Sequence, residues 1–174
     1  MYDAVEFVVT LTAPAAATGF SLDYVFMSEE YEEFIGTQFN DKFYILLKAP
    51  QTTQNKWTII NYTDCRDPSD YHDFIDPVTQ KKQCYLAINT ALSEPCSNVK
   101  TNISGTGFEC GFGGAANGSS TGWLYTNWSI NGGETFQIKF HIHDTSDGIY
   151  DSLVILDNFH WLTGEFTQGT ASHN

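Results

Sequence analysis

The chain has 174 residues, with 21 acidic side chains against eight basic ones and a formal net charge of −13. That balance argues against nucleic acid and anionic membranes as partners, because a polyanion is bound by clustered Lys and Arg. Aromatic residues make up 15% of the chain and charged residues only 17%, which suits one well-filled domain of turn-rich, all-β character rather than a disordered or helical one.

The chain opens Met1-Tyr2-Asp3 and already alternates by Val5-Glu6-Phe7-Val8. With no leader or membrane-spanning run in view, and no direct membrane insertion expected, it reads as a module excised from a larger protein. Residues 6–12 predict a strand, followed by a Pro/Ala/Gly turn over 14–19. Residues 20–26 alternate strictly, placing Phe20, Leu22, Tyr24 and Phe26 on one face. An acidic stretch over 28–36 follows. Residues 41–47 predict a strand apolar enough for the middle of a sheet, and 57–62 predict another.

From about residue 64 to 118 the pattern is irregular. This stretch holds all four cysteines, several turn dipeptides and Gly111-Phe112-Gly113-Gly114, and it is expected to carry one or two short strands, such as 85–88. Regularity returns over 122–126. Asn131-Gly132-Gly133 is a hairpin signal, leading into a strand over 135–143, and a final strand is expected over 151–159. No segment sustains a helical period. The expectation is a single domain over 1–174, all-β, a jelly-roll-like antiparallel β-sandwich with a long disulfide-clipped loop excursion.

Cys65, Cys84, Cys96 and Cys110 include no Cys-x-x-Cys pair and no histidine at zinc-finger spacing, so they point to two disulfides in an oxidising compartment. Three connectivities are open. Cys65–Cys84 with Cys96–Cys110 is favoured because both bridges close short loops. Four Asn-x-Ser/Thr sequons, at Asn61, Asn102, Asn117 and Asn127, add support for secretion.

Two blocks are distinctive. One runs Asp23-Tyr24-Val25-Phe26-Met27-Ser28-Glu29-Glu30-Tyr31 and on through Phe39-Asn40-Asp41-Lys42-Phe43. The other runs from Gly122-Trp123-Leu124 through Asp144-Thr145-Ser146-Asp147-Gly148-Ile149-Tyr150-Asp151-Ser152 to Leu156-Asp157-Asn158-Phe159. With their Ser-Glu-Glu-Tyr segment, Asn-Asp-x-Phe strand start and late Asp-x-x-Asp…Asp-Ser stretch, they resemble the choice-of-anchor L family of bacterial extracellular domains. The resemblance implies a secreted or cell-surface location within a large, often multidomain protein.

Three Asp residues fall within 144–151, with Gly148 permitting a sharp turn. Dense carboxylates on a loop suit calcium, which takes six to eight oxygens, although the spacing is not that of an EF-hand. If the sandwich brings this loop beside the first acidic cluster, a cation is needed to offset the repulsion. A calcium site is therefore expected from Glu30, Asp41, Asp144 and Asp151, with Glu29, Asn40 and Asp147 as alternates or supporting groups. The competing reading is that these carboxylates cap turns and face water. Asp157, late in the last strand, is similar to the aspartate with which jelly-roll carbohydrate-binding modules hold a structural calcium. Its competing role is a hydrogen bond to a neighbouring strand.

His141 and His143 lie on one strand face, but with no Cys or Glu at obvious partner spacing they read as ordinary strand histidines. No Gly-x-Ser-x-Gly, His-Glu-x-x-His or P-loop is present, so no enzyme is expected. Drawing Glu29, Glu30 and Asp41 as the carboxylate pair of a carbohydrate-active enzyme would compete with calcium for the same groups. Tyr31, Tyr150 and Trp123 are candidates for a ring platform near the calcium loops, with Tyr125 and Trp128 as further rings. The functional expectation is a calcium-binding extracellular adhesion or recognition module for a glycan or a cell-surface protein. The alternative is a structural spacer or self-associating unit of a large adhesin.

Overall fold

The computed structural model describes residues 2–31, 41–65, 72–76, 79–87, 92–99, 103–111, 117–145 and 150–173, with the backbone alone for residues 2, 30, 31 and 117. The strands, in chain order, begin with β1 (Tyr2–Thr12), β2 (Gly19–Tyr31), β3 (Lys42–Lys48), β4 (Thr58–Ile59) and β5 (Tyr62–Asp64). The middle of the chain adds β6 (Phe74–Ile75), β7 (Lys82–Tyr85), β8 (Glu94–Pro95) and β9 (Asn117–Ser120). The last four are β10 (Leu124–Ser129), β11 (Thr135–Asp144), β12 (Ser152–Leu162) and β13 (Gly169–Ser172). Among the described residues there is no helix.

Two antiparallel sheets form the sandwich. One has the order β1-β11-β3-β4; the other runs β13-β10-β2-β9-β8, with β12 on the free side of β2. A small third sheet, β5-β7-β6, holds part of the middle segment. The long strands alternate between the main sheets in chain order, as in a jelly-roll-like sandwich.

The period-2 pattern explains the core. Phe20, Leu22, Tyr24 and Phe26 of β2 face Phe43, Ile45 and Leu47 of β3 and Phe136, Ile138 and Phe140 of β11, all of them buried. Rings bridge the sheets: Phe20 stacks on Phe136 at 5.6 Å and Tyr24 meets Phe43 edge-on at 5.5 Å. The Tyr24 hydroxyl is hydrogen-bonded to Thr126 Oγ1 at 2.9 Å, so the one polar atom of this ring is satisfied inside the core.

The outward residues of β2 are explained by the middle segment. Val25 and Met27 would face water in a bare sandwich, yet both are buried in a second cluster with Ile103 and Phe108. The segment that covers them is closed by Cys96–Cys110, while Cys65–Cys84 ties β7 to the end of β5. The excursion is thus a lid on one outer sheet face as well as a loop. Of the strand expected over 85–88, Tyr85 ends β7, Ala87 forms an isolated antiparallel bridge with Lys42, and Ile88 lies outside the described residues.

Asn131-Gly132-Gly133 forms a turn, with the Glu134 N–H donating to Asn131 O at 3.0 Å and Gly133 at φ 81°. It is not a hairpin, however, because β10 and β11 belong to different sheets. The turn crosses between sheets and packs against residues 13–17, where a Cβ on Gly132 would stand 2.3 Å from the Ala15 carbonyl oxygen.

Glu134 fastens this crossing. Its buried carboxylate accepts from the amide of Gln51, from the amide and hydroxyl of Thr52 at 3.1 and 2.7 Å, and from Asn131. Burial raises its pKa, but these donors outweigh burial and hold the group below the usual range. Glu134→Gln turns an amide NH2 toward those donors and is expected to cost about 1–3 kcal/mol. Urea unfolding at neutral pH measures it; an unchanged midpoint would mean that the carboxylate is not holding the turn.

Candidate functional site

The sheet topology brings the start of β3, the end of β11 and the start of β12 to one end of the sandwich. Asp41 immediately precedes β3 and is fully buried, at 0% exposure. Its carboxylate accepts from the Thr145 amide at 3.3 Å and from the Ser152 hydroxyl at 2.7 Å. Asp144, the last residue of β11, is 7% exposed, and its carboxyl is hydrogen-bonded to that of Asp41.

Two carboxyls in contact and out of water cannot both ionise cheaply. Burial, first, and then the charge of Asp41 push Asp144 up from 3.8 to about 7, with smaller contributions from Asp3 and Asp151. Near neutral pH the pair shares a proton in place of a countercharge. Beside it the Thr145 hydroxyl is buried without a hydrogen-bond partner among the described residues. Paired carboxylates, a serine hydroxyl bonded to one of them and a threonine hydroxyl make an oxygen-rich cluster whose chemistry suits a hard cation.

Asp151 is exposed, and its carbonyl accepts the Glu29 amide at 3.2 Å, which brings β2 to the same end of the molecule. Glu29 is half-buried; Glu30 and Tyr31 continue β2 with their side chains outside the described set. Asn40 and Asp147 lie outside the described residues. Among the described residues, no group of three or more His, Cys, Asp or Glu side chains is arranged to hold a metal ion. The described part of the site is therefore the Asp41–Asp144 pair with its hydroxyls.

Asp157 stands apart, five residues along β12 from Ser152, about 17 Å at strand spacing. It is exposed and accepts the Asn158 amide through Oδ1 at 2.7 Å. Its cross-strand partner is Asp23, which is bound by Asn158 Nδ2 at 2.9 Å and His173 Nε2 at 3.2 Å. Of the candidate rings, Tyr150 is partly exposed next to Asp151, whereas Trp123 packs against the Val25–Met27 cluster.

The residues that the sequence did not pair are informative. Ser152 and Thr145 reach Asp41 across 111 and 104 positions. His141, which has no acidic partner nearby in sequence, finds Glu6 on β1: Nδ1 lies 3.0 Å from Glu6 Oε1, and Nε2 lies 2.9 Å from His143 Nδ1. Burial, followed by His141 and Lys42, depresses His143 to about 4, so it is neutral at physiological pH.

Residues 6–159 match the family model described as Choice-of-anchor L domain. No curated protein and no solved structure matches the chain.

Proposed function

The chain belongs to the Choice-of-anchor L domain family of non-catalytic extracellular surface modules, and on that premise we propose that it is a calcium-binding adhesion or recognition module. Asp41 and Asp144 would hold the ion, with Asp151 and the Thr145 hydroxyl beside them and Glu29, Glu30, Asn40 and Asp147 completing the oxygen set. The observation that carries this reading is the buried carboxyl pair beside a hydroxyl with no partner among the described residues. A divalent cation would replace the shared proton, relieve the repulsion and stiffen this end of the sandwich. Such a stiffened end suits a unit that presents a surface to a glycan or to a cell-surface protein.

The test is thermal unfolding in excess calcium and in EGTA, for the parent and for Asp144→Asn and Asp151→Asn. An ion that binds only the folded chain stabilises it by about 2.7 kcal/mol at a hundred-fold excess over Kd. At this chain length that amounts to roughly 5–10 °C. The rise should be lost in Asp144→Asn and reduced in Asp151→Asn. A parent melting at the same temperature in both buffers would refute calcium binding.

A further inference from the structure

The outer face of the β1-β11-β3-β4 sheet carries the opposite charge from the rest of the molecule. Its outward rows follow from the register: Glu6, His141 and Tyr44 lie side by side, then Val8, Lys139 and Leu46, then Thr10, Gln137 and Lys48, with Lys42 opposite His143. Three of the chain's eight Lys and Arg residues therefore sit on this face. Among the described residues of these paired rows the one outward carboxylate is Glu6, already bonded to Lys139 at 3.2 Å and to His141 at 3.0 Å. On a chain of net charge −13 this is a cationic island.

An aromatic ring lies in the island. Trp57, just before β4, is 38% exposed, and its centroid lies 5.1 Å from Lys139 Nζ and 5.7 Å from Lys48 Nζ. Lys48 has no carboxylate partner among the described residues. A partly exposed indole with two ammonium groups over its ring matches a pyranose bearing a carboxylate or sulfate: the lysines take the anion, and the part of the indole they leave uncovered meets the C–H face of the sugar. A protein partner fits less well. A stable protein interface needs about 800 Å² per side with an apolar centre, and among the described residues the large apolar side chains exposed on this face are only Val8 and Trp57, at 44% and 38%.

We propose that the outer face of this sheet is a binding site for an anionic polysaccharide, centred on Trp57 with Lys48 and Lys139 as the anion contacts. The site is separate from the carboxylate end and does not depend on calcium.

Affinity electrophoresis and calorimetry in EGTA test it, because chelation prevents a calcium bridge between the acidic polymer and the acidic protein. The probes are polygalacturonate, dextran sulfate and neutral dextran. One or both acidic polymers should bind and weaken steeply with salt, the responding polymer identifying carboxylate or sulfate, while neutral dextran should not bind. Trp57→Ala and Lys48→Gln, both at solvent-accessible side chains, should each lower affinity about ten-fold or more while keeping the parent melting temperature. Absence of binding to either acidic polymer would overturn the proposal, as would equal binding to neutral dextran or binding indifferent to both substitutions. Concentration-dependent dimerisation abolished by Trp57→Ala would overturn it in favour of a second copy of the chain.

Discussion

Replacement of Asn61 by Ala is expected to destabilise the protein by about 2–6 kcal/mol, the largest effect of any single polar substitution considered. Asn61 is fully buried between β4 and β5. Its Oδ1 accepts the Ile45 amide at 2.6 Å and its Nδ2 donates to the Phe43 carbonyl at 2.9 Å, so one side chain satisfies two backbone groups of β3. Truncation leaves both groups buried and unpaired, each costing about 1–3 kcal/mol. Urea unfolding should show a lower midpoint with an unchanged slope, and a loss below about 1 kcal/mol would mean that water enters and replaces the amide. The same geometry removes one of the four sequons as a glycosylation site in the folded chain. A glycan on Asn61 would occupy the Nδ2 atom that holds β3, in a residue with 0% exposure.

The second large effect is on pH. In calcium-free buffer, two neighbouring residues should impose opposite slopes on stability. Asp144 keeps its proton in the folded state up to about pH 7, whereas an ordinary aspartate loses it near 3.8. Between those values the folded state binds more protons than the unfolded one, so this contribution declines as pH rises and is gone above about 7. His143 does the reverse. It accepts a proton in the folded state only near pH 4, against 6.5 ordinarily, so its contribution is present above 6.5 and is lost as pH falls toward 4.

The parent should therefore show a flattened profile between about pH 4 and 6.5 and a decline from 6.5 to 7. Asp144→Asn should abolish that decline and raise stability at pH 8. His143→Gln should remove the acid-side loss and expose the full fall attributable to Asp144. Unfolding in urea at pH 5, 6 and 8 for the three proteins measures this. If Asp144→Asn leaves the pH profile unchanged, the Asp41–Asp144 pair does not share a proton, and the case for a cation there weakens with it.

The strict alternation over 20–26 was sufficient to place β2 and its inward face, and the apolar runs over 41–47 and 135–143 placed β3 and β11. Side chains alternate across a strand whatever the strand is paired with. The cysteine count and spacing pointed to an oxidising compartment, and the two acidic blocks carried the family resemblance over most of the chain.

Tertiary structure decided everything that depends on which strands meet. The turn at 131–133 has hairpin chemistry, yet it crosses between sheets because β10 finds β2 and β11 finds β1 and β3. Strands β6 and β8 have two residues each, too short for a periodic signal, and are held by the ladders they join, while the strand expected over 57–62 is divided between β4 and the start of β5, which belong to different sheets. Strand β13 has no apolar pattern and is held as a partner of β10. Val25 and Met27 read as misplaced until Ile103 and Phe108 cover them. Asn61 reads as a sequon and is a buried strap for β3. The acidic residues were legible as a set, but which of them lose their water was not. Asp41 and Asp144 are adjacent only because β3 and β11 pair in one register, with His143 opposite Lys42, and that register buries both carboxyls while Asp151 and Asp157 stay in solvent.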